Sequence, residues 1–392
     1  MRCFGCLLGF LLLAGICRAG EEMRTWTDAQ GRKIEARMSG LDGDQVMLEL
    51  KDGRKIPYPL AKLSADDAHY ARHFESTSAS DEVAEQVINF DSEWPDRIKF
   101  GEDPEISIVS EDADRKKFIY ESSNYRYHCD VRLSNSVVRG FALMFEATHL
   151  FCRSLPLALD GGKKTDGKLE IRLFEQYDDY IAAGGMQGSA GVFIGGRALV
   201  LVPLDSLGVR KVGSGYMLDR DKSSKTLPHE LTHQLTPRPY FAKGSMGWFT
   251  EGIAEYVAVT PYRSGAFSVR GNHKDIIDYT TAYGSKNTGG RALGENIQID
   301  DLKKFMLQDY GDFLQYPQIN YGCSLLITYY FLQMDGDGDA KRIKSFLKAL
   351  RAGKTDEDAI TVLLDGRSYE QLGEEISKAW GKRGISLTFG AR

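Results

Sequence analysis

The motif His229-Glu230-Leu231-Thr232-His233 constrains the fold of this 392-residue chain more than any other feature of its sequence. In an α-helix, residues four apart lie on the same face, so both imidazoles of the motif can reach one metal ion. Leu231 and Leu235 give this segment an apolar side, and Pro237 ends it. The pattern predicts a helix on which both histidines bind a metal ion and Glu230 faces its open coordination position.

A second predicted helix, residues 247–256, supplies the candidate for the third ligand. It carries Glu251, seventeen intervening residues after the motif. Thr236 and Pro239 stand where a metzincin has glycine and histidine, so that class of zinc peptidase is excluded. The Trp-x-x-Glu-Gly-x-Ala pattern of the second helix resembles that of the gluzincins, the clan of thermolysin and aminopeptidase N. This resemblance implies that Glu251 is a zinc ligand and that Glu255, one turn later, supports a zinc-bound histidine.

The resemblance extends to a later apolar run, residues 321–332. This run is similar to the gluzincin helix whose first-turn tyrosine stabilises the oxyanion in the aminopeptidase N branch. The similarity implies Tyr321 as the catalytic tyrosine, with Tyr316 as its rival. Because the chain contains 19 tyrosines, a packing role for Tyr321 is the alternative.

The function implied by the resemblance is that of a secreted zinc metallopeptidase. Zn²⁺ held by His229, His233 and Glu251 lowers the pKa of its bound water, and Glu230 acts as the general base in peptide-bond hydrolysis. Two alternatives stay open. One is a binding or scaffold protein that keeps the gluzincin fold without turnover, and the other is a zinc amidase that acts on a cell-wall substrate.

Residues 189–193 precede the motif and occupy the place of the gluzincin edge strand, which pairs with the substrate backbone. The resemblance assigns this role to Ala190, Gly191 and Val192. The segment lacks the Gly-x-Met-Glu-Asn pattern by which aminopeptidases hold a free amino terminus. This difference favours an endopeptidase with a peptide or protein substrate.

The N-terminal segment has a different pattern, in which glycine turns separate short strands with alternating apolar residues. This pattern predicts a small antiparallel barrel. The segment resembles the Sla-type homology domain, an SH3-like barrel, through Trp26-Thr27-Asp28, Gly31, Asp52-Gly53 and the closing run Pro59-Leu60-Ala61-Lys62-Leu63-Ser64. The resemblance implies a binding or spacer module for a protein or an envelope component.

Four segments follow from these patterns. Residues 1–19 read as a signal peptide, because an arginine precedes a short apolar run and small residues follow it. Residues 22–75 form the predicted barrel, and the polar stretch 76–88 is a linker. Residues 89–392 form an α+β domain, with a small mixed sheet and a mostly helical C-terminal half. The leader predicts a secreted or periplasmic protein without an integral membrane span after cleavage.

Charge and cysteine content limit the partners and the covalent links of the chain. It has 50 basic and 55 acidic side chains, a formal net charge of −5, and no basic block, so we expect no nucleic-acid partner. The mature chain keeps Cys129, Cys152 and Cys323. A Cys129–Cys152 disulfide and buried free thiols are both compatible with this sequence.

Overall fold

A computed structural model of the chain describes residues 23–42, 45–64, 67–68, 70–71, 89–101, 103–162, 164–219, 225–282 and 289–390. The predicted leader (1–19) and the predicted linker (76–88) lie outside the described residues. Across the described ranges, no helix is both long enough and apolar enough to cross a membrane.

The N-terminal segment forms a four-stranded antiparallel sheet in which neighbours in sequence are neighbours in space. Its strands are β1 (Arg24–Thr27), β2 (Lys33–Asp42), β3 (Gln45–Leu50) and β4 (Lys55–Pro59). One face of the sheet is apolar, and Trp26, Val46 and Leu48 are buried there. The Trp26 indole N–H donates to the backbone oxygen of Ala36 at 3.0 Å, which ties β1 to β2 through the core.

The closed barrel predicted for residues 22–75 is not found in the described part of the chain. Strands β1 and β4 are the two edges of the sheet, and an isolated antiparallel bridge between Asp28 and Leu63 links the ends of this segment. Pro57 and Pro59 have no backbone N–H, so β4 cannot continue a regular ladder on both sides. The sequence pattern therefore identified the strands but not how they close.

A six-stranded mixed sheet forms the centre of the second part of the chain. Its strands are β6 (Ser107–Asp112), β7 (Lys117–Glu121), β8 (Tyr125–Cys129), β9 (Leu169–Phe174), β10 (Val192–Ile194) and β11 (Leu199–Pro203). Their order in the sheet is β10-β11-β9-β8-β7-β6; the two pairings that involve β9 are parallel and the other three are antiparallel. A hairpin at residues 195–197 joins β10 to β11, so β10 lies at one edge of the sheet.

Helix α1 (Asn135–Ser154) covers this sheet and begins where Ser134 accepts a hydrogen bond from the backbone N–H of Val137. Its aromatic side chains pack against those of β8. The ring of Tyr127 lies edge-on to Phe141 and Phe145, with centroids 5.4 and 5.2 Å apart. Burial of these rings fixes the helix on the sheet.

Most of the remaining structure is helical, which confirms the predicted α+β architecture with a helical C-terminal half. The helices are α2 (Tyr177–Ala182), α3 (Thr226–Leu235), α4 (Trp248–Val259), α5 (His273–Thr281), α6 (Leu302–Leu307), α7 (Tyr310–Gln315), α8 (Pro317–Gln333), α9 (Lys341–Arg351), α10 (Asp356–Leu364) and α11 (Tyr369–Gly381).

Three small sheets complete the architecture of the described residues. Strands β5 (Arg97–Lys99), β14 (Tyr262–Arg263) and β15 (Ala266–Ser268) form one sheet. Strands β12 (Val209–Val212) and β13 (Gly215–Leu218) form a hairpin, and β16 (Asn296–Ile299) pairs with β17 (Ser386–Phe389).

The three cysteines of the second part of the chain are buried, and Cys129 and Cys152 are free thiols. Cys129 ends strand β8, just before α1 begins, whereas Cys152 lies near the far end of α1. At about 1.5 Å of rise per residue, the length of α1 separates the two positions by roughly 25 Å. The two sulfurs therefore form no disulfide.

Candidate metal centre

Helix α3 carries the motif and is held by its apolar side. Leu227, Leu231 and Leu235 are buried in the main core, and the helix ends at Leu235, before Pro237. The two histidines lie on another face, one turn apart. Their Nε2 atoms are 3.1 Å from each other.

Glu251 reaches the same point from helix α4. This helix is buried on nearly all sides, and its side chains Trp248, Phe249 and Ile253 belong to the core. The Oε2 atom of Glu251 lies 3.2 Å from the Nε2 atom of each histidine. The side chains of His229, His233 and Glu251 are 12%, 5% and 3% exposed, so solvent reaches this point mainly from the side of His229.

The donor set fits a zinc ion. Zinc ligated by imidazole nitrogen and carboxylate oxygen at about 2.0–2.1 Å in a tetrahedron places its ligand atoms about 3.3 Å apart. The three separations in this site are 3.1, 3.2 and 3.2 Å. A cation between three lone-pair-bearing atoms this close together would stabilise them, since two of the three residues are buried. Among the described residues, these three side chains form a group that could hold a metal ion, since their ligand atoms all lie within 4.8 Å of one another.

Glu255 lies behind His229, on the side away from this point. Its Oε1 atom is 3.1 Å from Nδ1 of His229. A carboxylate at Nδ1 keeps the proton there and directs the lone pair of Nε2 toward the metal position. Arg291 donates to both oxygens of Glu255, from Nη2 to Oε1 at 2.7 Å and from Nε to Oε2 at 3.2 Å.

Two tyrosine hydroxyls lie beside the ligand cluster, and the sequence indicated one of them. The ring of Tyr321 stacks on His229 with centroids 6.0 Å apart. The hydroxyl of Tyr310 donates to Oε1 of Glu251 at 2.9 Å and is 3.4 Å from the hydroxyl of Tyr321. Tyr316, the rival candidate, is 59% exposed and borders a surface cavity of about 620 Å³ instead.

Glu230 contacts the edge of the six-stranded sheet. Its Oε2 accepts a hydrogen bond from the backbone N–H of Phe193, in β10, at 2.8 Å. Of the residues assigned to the edge strand, Val192 begins β10, whereas Ala190 and Gly191 lie just before it. The preceding chain is still in a turn at that point, because the backbone N–H of Ser189 bonds to the oxygen of Met186 at 3.1 Å.

The charges of the site shift the pKa values of its groups in opposite directions. Burial alone would lower the pKa of His229, but its hydrogen bonds to Glu251 and Glu255 raise it to about 10. Burial opposes ionisation of Glu255, yet contacts with His229 and Arg291 lower its pKa to about 2. Burial raises the pKa of the Glu230 carboxyl, against the effect of both imidazoles.

The pKa of Tyr321 is well above its usual value because of burial and the nearby Glu251 carboxylate. Its hydroxyl is therefore protonated at neutral pH and is a hydrogen-bond donor.

Sequence reasoning missed Arg291 and Tyr310. Both belong to segments without a recognisable motif, 36 and 59 residues beyond the carboxylates that they contact. The position of an arginine or tyrosine in such a segment does not predict a contact with the site. Only the folded structure brings the residue there.

Comparison with known proteins gives a match for the N-terminal segment. A family model, SLA1 homology domain 1 (SHD1), matches residues 19–79. No curated protein matches the chain. The matched range contains the whole four-stranded sheet and ends before helices α3 and α4, which carry the candidate metal ligands. Residues 19–79 are thus similar to SLA1 homology domain 1, and this match supports an SH3-like domain at the N-terminal end of the chain.

Proposed function

We propose that the chain is a zinc-dependent peptidase, with endopeptidase activity favoured. The observation that carries this proposal is the convergence of His229, His233 and Glu251, whose three ligand atoms lie 3.1–3.2 Å from one another. Glu230, on the same helix as the two histidines, supplies the carboxylate that such a reaction needs.

When bound, zinc would supply a Lewis acid that polarises the substrate carbonyl and makes water more acidic. We assign Glu230 the transfer of a proton from the attacking water to the leaving amine. Because Oε2 of Glu230 is held by the N–H of Phe193, Oε1 is the atom that we assign to this transfer. The same hydrogen bond orients the carboxylate before the substrate arrives.

The two tyrosines have separate roles in this proposal. Tyr310 directs its proton to Oε1 of Glu251, which turns the other carboxylate oxygen toward the histidines. Tyr321 is protonated and is positioned by its stacking on His229. We assign Tyr321 the hydrogen bond to the carbonyl oxygen as negative charge develops on it.

The substrate would bind along β10, the sheet edge that Glu230 contacts. An extended peptide can add to an edge strand through main-chain hydrogen bonds, which tolerates many side chains. The segment Ser189–Phe193 carries no acidic side chain that could hold a free amino terminus. This absence favours cleavage within a chain.

The test is zinc content and hydrolysis in the wild-type protein and in Glu230→Gln, with Glu374→Gln as the matched control on an exposed surface. We expect about one zinc per chain in all three proteins. Cleavage of casein or of blocked peptides should fall at least 10²-fold in Glu230→Gln only. Wild-type protein that binds no zinc, or that binds zinc and cleaves no peptide, would contradict the proposal. Hydrolysis of peptidoglycan in a parallel assay would instead support a cell-wall amidase.

We also propose that the protein is secreted or periplasmic and that its SLA1 homology domain binds a protein or an envelope component. The apolar run Leu7–Ile16 and the small residue Ala19 support export. Mass spectrometry of the exported protein should give Gly20 as the first residue. A mature protein that begins at Met1 would contradict cleavage of this leader.

A further inference from the structure

Arg291 joins two parts of the metal centre that otherwise come from different helices. It donates to both oxygens of Glu255, the carboxylate behind His229. Its guanidinium carbon also lies 4.6 Å from the centre of the Tyr321 ring. The N–H groups at the edge of the Arg291 guanidinium thus contact Glu255, the carboxylate beside His229. The face of the same guanidinium contacts the ring of Tyr321.

The packing of helix α8 provides for this contact. Gly322 follows Tyr321, and a Cβ atom there would lie 3.4 and 3.5 Å from Cβ and Cγ of Arg291. It would also lie 2.6 Å from Cδ1 of Leu293. Because glycine has no side chain, the segment that contains Arg291 can lie directly on helix α8 at this position.

The backbone of Arg291 is fixed as well. Its N–H donates to the backbone oxygen of Tyr279, at the end of helix α5, at 2.7 Å. The side chain is 20% exposed, so the ion pair with the 3%-exposed Glu255 is largely shielded from solvent. A shielded, bidentate arginine–carboxylate pair holds a defined geometry, unlike an ion pair on an open surface.

We propose that Arg291 is a positioning residue that sets both the His229 support and the Tyr321 ring through a single side chain. The proposal rests on the proposed function. The carboxylate of Glu255 can rotate about the side-chain bonds nearest to it. The two N–H donors of Arg291 fix the plane of this carboxylate, so that its Oε1 contacts Nδ1 of His229. The ring of Tyr321 lies beside both groups, with its centre 4.6 Å from the guanidinium carbon and 6.0 Å from the centre of the His229 imidazole.

The test uses Arg291→Lys and Arg291→Ala in the full-length protein. Lysine keeps the positive charge but cannot contact both oxygens of Glu255, and alanine contacts neither. Both variants should therefore weaken zinc binding by about 10–100-fold in a chelator competition. The visible absorption of the Co²⁺-substituted protein should change, because it reports the geometry of the ligands. Addition of guanidinium ion to Arg291→Ala should restore part of the zinc affinity.

Arg132→Lys is the matched control. Arg132 also makes a bidentate pair, with Glu111, but at β6, the opposite edge of the sheet from β10. This variant should keep the wild-type zinc affinity and cobalt spectrum. If the Arg291 variants keep both as well, the proposal is overturned, whereas wild-type protein that binds no zinc would overturn the proposed function itself.

A double-mutant cycle keeps the proposal testable if one variant folds poorly. Glu255→Gln should weaken zinc binding, and adding Arg291→Lys should then cost little more, because the two side chains act as one unit. Strictly additive losses would overturn the proposal.

Discussion

Replacement of Gly252 by alanine should damage the metal centre more than it damages the fold. Gly252 follows Glu251 on α4 at the point where this helix crosses α8. A Cβ atom at this position would lie 2.1 Å from Oγ1 of Thr328 and 2.5 Å from the backbone oxygen of Ser324. The threonine side chain can rotate, but a helix carbonyl cannot, so α4 and α8 must separate by about 0.9 Å to restore an ordinary contact.

The expected loss of stability is moderate. Overpacking of this kind costs about 1–3 kcal/mol, and the higher helix propensity of alanine offsets up to about 1 kcal/mol. A net loss of about 1–2 kcal/mol corresponds to a fall in Tm of roughly 2–3 °C, at about 2.1 cal/mol/K per residue for some 300 residues. Differential scanning calorimetry measures this shift directly.

The effect on function should be larger, because α4 carries Glu251 and α8 carries Tyr321. A displacement approaching 1 Å between catalytic groups can cost about 10²-fold in rate, so we expect kcat/KM to fall by about 10–100-fold. Gly381→Ala is the control, since Gly381 lies in a helix and its Cβ would meet nothing within 4 Å. A Gly252→Ala protein with wild-type Tm and wild-type activity would refute the packing argument.

Three further predictions follow from the site and its surroundings. Tyr321→Phe should lower kcat by about 10–10³-fold and leave zinc affinity unchanged, whereas Tyr316→Phe should leave kcat unchanged; equal effects would contradict the assignment. Removal of zinc by EDTA should lower Tm, and zinc should restore it, because a ligand that binds only the folded state stabilises it. Burial, with Lys164 and Arg153 nearby, lowers the pKa of His149 to about 4. Folding stability, measured by urea titration, should therefore fall as the pH drops from about 6.5 to 4, and His149→Gln should reduce this dependence.

The convergence of the candidate ligands could largely be predicted because their spacing is local. His229 and His233 lie one turn apart on one helix, and so do Glu251 and Glu255 on the next. Regular helix geometry then fixes which side chains share a face, whatever the rest of the fold does. The hairpin of β10 and β11 also depends on local turn residues, since Gly195 and Gly196 lie in its turn.

The parts that sequence reasoning missed depend on contacts between distant segments. Arg291 reaches Glu255 because Gly322 leaves room for it on α8. No sequence pattern links Arg291 to Gly322, so their contact could not be predicted. Tyr310 likewise reaches Glu251 through the packing of α7 beside α8. The predicted closure of the N-terminal sheet into a barrel was wrong for the same reason. Alternation of apolar and polar residues identifies strands, but it does not show whether the first strand pairs with the last.

The buried thiols have a consequence for chemical resistance. Burial raises the pKa of Cys129 and of Cys152 to about 12, so only about one thiol in 10⁵ is ionised at pH 7. The thiolate is the form that reacts with oxidants, disulfides and alkylating agents. The sulfur of Cys152 is 3.8 Å from Oγ1 of Thr232 on helix α3, yet it is unreactive while the fold is intact. Alkylation of Cys152 would thus report opening of the core around helix α3, and the folded protein should tolerate an oxidising medium at these two positions.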